Sequence, residues 1–391
     1  MGQEIYLDHA SSTPLFTRAA EALVLASEEY GDPMSIHARG RAARRALDDA
    51  RATLAGHLGA QPDEIVFTSG GTESVALAVW GSTRAIREVG NRIVVSAVEH
   101  PAVGGICHTL ETDGFEVAIV PVDEWGRVDL DVWAREVRVP GTLIASLQHA
   151  NHEIGTLQPV AEAARLAREA KVLFHTDACQ TMGRLPVDAP GLGADLLSLS
   201  GHKFGGPSGV GALYIRRGVG VAAYPCGDDR ERKRRSGMEN VAGIVAMAAA
   251  LSEAVGSIAD RASRQWRLTE RLREGLGDRL PRARLHGHAT QRAPHLVCFS
   301  VPGVDTETLV MALDDRGFRI GAGSMCSGAP TEPSPVLEAM GFPGTVGLRV
   351  SVGPETDETT VEGFLEELAG LVDELHQVER VATEALDRSG N

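Results

Sequence analysis

Short apolar runs of strand length recur through the first half of the chain, at 64–68, 92–96, 116–121, 142–147, 172–175, 195–199 and 210–215. Longer stretches with apolar residues at helical spacing stand among them: Thr17 to about Glu29, Ala38 to Leu58, a segment opening at Ser74, and Val160 to Ala170. Gly31-Asp32-Pro33 breaks the first two helices apart. Strands alternating with helices over 64–215 predict a mostly parallel sheet with helices on both faces, an α/β fold. Beyond Ile215 the pattern changes. An Ala/Val-rich helix is expected from Val241 to about Val255 and a second from about Arg261 to Leu280, linking to a smaller C-terminal unit. His295–Val301 reads as the central strand of that unit, and Thr306–Arg316 and Thr359–Ala385 as its helices.

Composition narrows the classes of function. With 391 residues, 43% hydrophobic and 23% charged, the chain has material for a sizeable core and two or three structural units. A net charge of −15 argues against non-specific binding to nucleic acid. No apolar run approaches the ~18 residues of a membrane span. The N-terminal residues lack the basic and apolar regions of a secretion signal, so a cytoplasmic location is expected. Five cysteines, at 107, 179, 226, 298 and 326, are widely spaced and form no Cys-x-x-Cys pair, which suits a reducing compartment.

Candidate chemistry gathers just after the predicted strands, where open α/β sheets build their sites. Ser69, His100, His152, Asp177 and Lys203 all hold such positions. Lys203 lies in Ser198–Pro207 with glycines at 201, 205, 206, 209 and 211 holding the backbone open around it. That setting suits an amine that must reach a carbonyl and form a Schiff base, and equally a solvated loop lysine. Ser69-Gly70-Gly71-Thr72-Glu73 follows a strand and opens a helix, the order of an anion site and also of a capped helix after a tight turn. His175, Asp177 and Cys179 would share a face if their strand continued, which admits zinc, but no fourth ligand has a matching spacing. Asp177 fits better as the partner of a pyridinium nitrogen. Asp228 to Arg235 reads as a charged, solvated loop, with a phosphate or partner contact as the alternative. Cys298, in an apolar strand, reads as inert core. Cys326 stands instead among Gly321-Ala322-Gly323-Ser324-Met325-Cys326-Ser327-Gly328, an open setting expected of a reactive thiol, and Ser334-Pro335 beyond it predicts a capped helix start.

Taken together, Tyr6-Leu7-Asp8-His9-Ala10, Ser69–Glu73, Glu99-His100, Glu153-Ile154-Gly155, His175–Gln180, Ser200-Gly201-His202-Lys203, Arg235-Ser236-Gly237, Gly323–Cys326 and Leu348-Arg349-Val350-Ser351 resemble the cysteine desulfurases. These belong to the class V aminotransferases among fold-type I pyridoxal-phosphate enzymes, and the resemblance runs along nearly the whole chain. It implies a seven-stranded, mostly parallel sheet in a large domain over 15–255. Residues 1–14 and 256–391 would form a smaller α+β domain carrying the cysteine loop. It also implies pyridoxal 5'-phosphate as cofactor, L-cysteine as substrate, a homodimer, and a sulfur-acceptor protein as partner, with no direct role for nucleic acid or membrane. Carried over residue by residue, Lys203 would hold the cofactor and move the substrate Cα proton. Asp177 would keep the pyridine nitrogen protonated, His100 would stack on the ring, and Gln180 would bond its phenolic oxygen. Thr72, Ser200 and His202 would bind the phosphate, with Gly71 in the same set. Arg349 would clamp the substrate carboxylate, and the Cys326 thiolate would take the sulfur as a persulfide.

Two positions depart from that pattern. His152 stands where the family commonly has asparagine, and is expected over the cofactor's edge, near substrate, titrating at pH 6–7. Met238 replaces a threonine that would reach the cofactor phosphate across a dimer interface. The alternatives are a related C–S or C–Se lyase that does not use Cys326, and a degenerate relative kept as a binding partner.

Overall fold

The computed structural model describes residues 4–323 and 332–389. Strand β1 (Ile5–Tyr6) precedes seven strands that form one sheet: β2 (Ile65–Thr68), β3 (Arg92–Ser96), β4 (Glu116–Val120), β5 (Thr142–Ser146), β6 (Leu173–Asp177), β7 (Leu196–Ser200) and β8 (Gly211–Ile215). Their order is β2-β8-β7-β6-β5-β3-β4, with every neighbouring pair parallel except the two that involve β8. Within these strands alternate residues serve opposite faces. Ile65, Phe67, Leu197 and Leu199 join one core cluster, whereas Val66, Leu196, Leu213 and Ile215 join another. Burial on both faces is why the runs are continuously apolar rather than alternating.

Helices supply the outer layers. Ala38–His57 buries Ala43, Leu47, Ala50 and Leu54 on one stripe, packed with Phe67 and Leu199 from the sheet. Val241–Gly256 adds Ile244, Met247 and Leu251 to the same cluster. It meets the next helix, Ile258–Arg279, at 71°. Among the described residues no single helix is long and apolar enough to cross a membrane.

A second, smaller sheet is antiparallel. It contains β9 (Arg284–His286), β10 (Leu296–Ser300), β12 (Gly321–Ala322) and β13 (Leu348–Ser351), in the order β12-β13-β10-β9, while β11 (Phe318–Arg319) pairs in parallel with β1. Helices Ile258–Arg279, Thr306–Asp315 and Glu358–Ser389 cover it, and Leu272, Phe299, Leu309 and Phe364 share its core. Ser334 caps the short helix Pro335–Ala339 as expected, its Oγ accepting from the Leu337 N–H at 3.0 Å.

The segment 228–235 is only in part the solvated loop its charges suggest: Asp228, Asp229, Arg232 and Lys233 are exposed, but Glu231 and Arg230 turn inward. Glu231 is buried: its carboxylate accepts from Arg51 Nη1 at 2.8 Å and from the Phe67 N–H at 2.9 Å. Arg230 bridges Asp32 and Glu239 at 2.8 and 2.7 Å. Glu231, Arg232 and Lys233 hold left-handed φ values of 47°, 56° and 62° in succession. Each costs roughly 1–2 kcal/mol in an L-residue, so the buried, hydrogen-bonded ion pair has to offset that strain.

Candidate active site

A cavity of about 620 Å³ opens beyond the carboxyl ends of the parallel strands. Gly71, Thr72, His100, His152, Asp177, Gln180, Ser200, His202 and Lys203 all line it, brought together from segments scattered over more than a hundred residues. Two further candidates remain. Cys326 lies outside the described residues, and Arg349, although buried, is not among the lining side chains.

Lys203 ends a single 3-10 turn, Gly201–Lys203, in the β7–β8 hairpin. Its Nζ donates to the carbonyls of Ala10 and Ser11 at 2.8 and 2.9 Å. The N-terminal segment therefore folds over the hairpin, fastened by the Thr13 N–H to the His202 carbonyl at 2.9 Å and by Thr13 Oγ1 to the Lys203 carbonyl at 3.0 Å. Asp177 ends β6 and accepts from the Cys179 N–H at 2.9 Å.

The first turn after β2 makes the cavity floor. A Cβ on Gly71 would lie 2.7 Å from Cys179 Sγ and 3.4 Å from Ser200 Cβ, so only glycine leaves this cradle open. Ser200 Oγ and His202 Nδ1 are 3.1 Å apart beside it. Burial, then the charges of Lys203 and Arg184, pulls the His202 pKa down to about 4.

His100 caps the helix Pro101–Thr112, its Nδ1 accepting from the Ala102 N–H at 3.1 Å. Because that N–H can only donate, the neutral ring carries its proton on Nε2. The His152 ring meets it edge to face, with centroids 4.9 Å apart at 66°. His152 does not titrate near pH 6–7 as its residue type suggests. Burial, reinforced by His100, Arg349 and Lys203, holds its pKa well below the usual imidazole range. Its Nδ1 is buried with no hydrogen-bond partner among the described residues.

Arg349 is committed within the protein. Its guanidinium donates to the His152 carbonyl at 2.6 Å, to Asp8 Oδ1 at 2.8 Å and to Ser11 Oγ at 2.7 Å, leaving Nε without a partner. Of the trio that admitted zinc, His175 has both ring nitrogens engaged, 2.8 Å from the hydroxyls of Ser146 and Ser198. Met238 is exposed and does not line the cavity.

Residue patterns missed several supporting groups. Glu99 accepts from Ser96 Oγ at 2.6 Å and the Gln148 N–H at 2.9 Å, and burial raises its pKa to about 8. Glu153 binds the Ser334 hydroxyl that caps the helix after the cysteine segment. Asp8 lies in one of the motifs that carry the resemblance and Ser11 just beyond it, but neither has a role there. Their carriage of Arg349 depends on contacts across more than 300 residues, which no local signal reports.

These residues fit pyridoxal phosphate. The glycine cradle with Thr72, Ser200 and His202 matches a phosphate, and a strand-end carboxylate and an amine face the same space. The chain belongs to the aminotransferase class-V family, which matches residues 5–364. Among curated proteins it is similar to the cysteine desulfurase IscS of Dictyoglomus turgidum, 40% identical over 382 residues and 97% of each chain. It is also 40% identical to the cysteine desulfurase IscS of Methanosarcina thermophila over 378 residues, 96% of this chain and 93% of that one. Among solved structures, a NifS-like protein superposes with a TM-score of 0.89 and 32% identity, covering 95% of this chain and all of its own.

Proposed function

We propose that this chain is a pyridoxal-phosphate-dependent cysteine desulfurase that converts L-cysteine to L-alanine and passes the sulfur through Cys326 to an acceptor protein. The observation that carries this reading is the convergence of Lys203, Asp177, His100 and the Gly71–Thr72 cradle on one cavity at the strand ends. The relatives named cysteine desulfurase support it along nearly their whole length.

Bound there, pyridoxal phosphate supplies an electron sink for the bonds to the substrate Cα. Lys203 would hold the cofactor and, once displaced by the substrate amine, take up and return the Cα proton at Nζ. Asp177 would hold the proton on the pyridine nitrogen. Gly71, Thr72, Ser200 and His202 would fix the phosphate, Gln180 and His152 the ring's substituted edge. His100, whose Nδ1 accepts from the Ala102 N–H, would lie over the ring. Arg349, beneath the turn at 8–11, would meet the substrate carboxylate by giving up one of its present partners. The Cys326 thiolate would attack the substrate sulfur, breaking the substrate's Cβ–S bond and forming an S–S bond.

The large unit is read as 15–255, with 1–14 and 256–391 as the smaller one. A homodimer is supported by exposed Val24, Leu25, Tyr30, Met34 and Ile36 on one stretch of chain. A cytoplasmic setting agrees with widely spaced thiols, of which Cys107, Cys179, Cys226 and Cys298 are free among the described residues.

Two substitutions test the reading. Lys203→Ala should lose alanine production and the visible absorption of bound cofactor. Cys326→Ser should keep that absorption and lose persulfide, read by mass spectrometry after incubation with cysteine. Alanine formed at the parent rate by Lys203→Ala would overturn the assignment. Sulfide released at the parent rate by Cys326→Ser would favour the lyase reading. A protein that binds cofactor but makes no alanine would favour the binding-partner reading.

A further inference from the structure

Gln180 reaches the cavity with a carboxamide whose two ends are nearly identical in shape, so its neighbours alone decide which way it faces. Arg184 points Nη1 at Oε1 from 3.1 Å. A guanidinium has only donors, so the atom facing it has to be oxygen. His295 Nε2 lies 3.2 Å from the same oxygen and must donate as well. That puts the proton of the neutral ring on Nε2 and leaves Nδ1 as a bare lone pair, which agrees with the absence of any partner for His295 Nδ1. The nitrogen end of Gln180 is thereby turned the other way. One of its hydrogens goes to the Ala10 carbonyl at 2.9 Å, the same carbonyl that accepts from Lys203 Nζ at 2.8 Å. The other is left for a group in the cavity that Gln180 lines.

His295 alone could not enforce this. A neutral imidazole switches tautomer, so with Nε2 bare it would accept an N–H from a reversed amide just as well. Arginine has no such alternative. Arg184 is also an expensive residue to place here. It is buried, and its hydrogen bonds run to neutral oxygens: the His9 carbonyl at 2.7 Å, the Gln180 carbonyl at 3.4 Å, Thr13 Oγ1 at 3.4 Å and Gln180 Oε1. A buried charge answered only by neutral dipoles is a poor way to gain stability.

We propose that Arg184 is a positioning residue: it locks the Gln180 amide so that an N–H, not a carbonyl, is offered to the bound cofactor. Through Ala10 the same lock steadies the resting position of Lys203. This inference rests on the cofactor site proposed above.

A double-mutant cycle on cofactor affinity tests it. The parent, Gln180→Leu, Arg184→Met and the double variant are stripped of cofactor, checked for folding by circular dichroism, and titrated with pyridoxal phosphate. Gln180→Leu should weaken binding about tenfold, the loss of one hydrogen bond to a charged acceptor. Arg184→Met should weaken it severalfold, and the double variant should bind within about twofold of Gln180→Leu, because the lock has no purpose once the amide is gone. Losses that multiply would overturn the inference, since a merely structural arginine would act independently of Gln180. Should Arg184→Met not fold, Arg184→Gln takes its place in the cycle, because an amide there can accept as well as donate. Arg184→Lys, which only donates, should bind as the parent does. A parent that folds but takes up no pyridoxal phosphate would overturn the proposed function and the lock together, whereas multiplying losses in a parent that binds would overturn the lock alone.

Discussion

Around the cavity, histidines are kept neutral and the positive charge is left to three other groups. His9 and His202 are pulled down to about 4, and His152 and His295 well below the usual range, by burial first and then by Arg184, Arg349 and Lys203. A depressed imidazole carries no proton above its own pKa, so none of these rings changes charge between pH 6 and 8. Replacing His152 with asparagine should therefore leave the shape of the pH–rate profile unchanged over that window. A limb near neutral pH that is present in the parent and lost in His152→Asn would show that the ring does titrate. The sequence supplies the residue type here and suggests the opposite behaviour. What decides it is burial in the company of Arg349 and Lys203, two cations that stand far from His152 along the chain.

At the scale of elements, the strands with both faces buried are legible in the sequence to within a residue or two, because little besides a buried strand produces a short, unbroken apolar run between turn residues. The antiparallel course of β8 is not legible, and neither are β12 and β13. These last are short, one holds the charged Arg349, and their pairing is set by residues far along the chain. The segment 228–235 misleads for a related reason. Counted by charge it belongs in water, but Arg51 and the Phe67 N–H give Glu231 a place inside. Two substitutions there should move stability in opposite directions. Glu231→Ala leaves Arg51 buried and unpaired and should lower the unfolding free energy by about 3 kcal/mol. Lys233→Gly, at an exposed position with φ 62°, should raise it by up to about 1 kcal/mol by removing left-handed strain. Urea unfolding of the cofactor-free proteins measures both, and equal signs would show that the turn is not strained.

For the molecule as a whole, the proposed homodimer accounts for the exposed apolar stretch at 24–36, where Val24, Leu25, Tyr30, Met34 and Ile36 all face outward. Leu25→Glu combined with Ile36→Glu should shift sedimentation from dimer to monomer without loss of folded structure, since both side chains are exposed at 64% and 90%. A parent that sediments as a monomer at micromolar concentration would leave that stretch without a covering partner and overturn the dimer.

The way the chain closes on itself has a consequence for how the enzyme is made. Ile5 pairs with Phe318, the Ala10 N–H bonds Ser351 Oγ, and the Ala10 and Ser11 carbonyls hold Lys203. A growing chain emerges from the ribosome with its low-numbered residues first, yet the contacts of Ile5 with Phe318 and of Ala10 with Ser351 can form only once more than 300 further residues have been translated. The large sheet can assemble early, with Lys203 already on its hairpin and Thr13 within reach of it, but the anchors of the same loop on β11 and β13 come only later. The clasp around the reactive amine is thus closed in two stages, the second by residues translated more than a hundred positions after Lys203 itself.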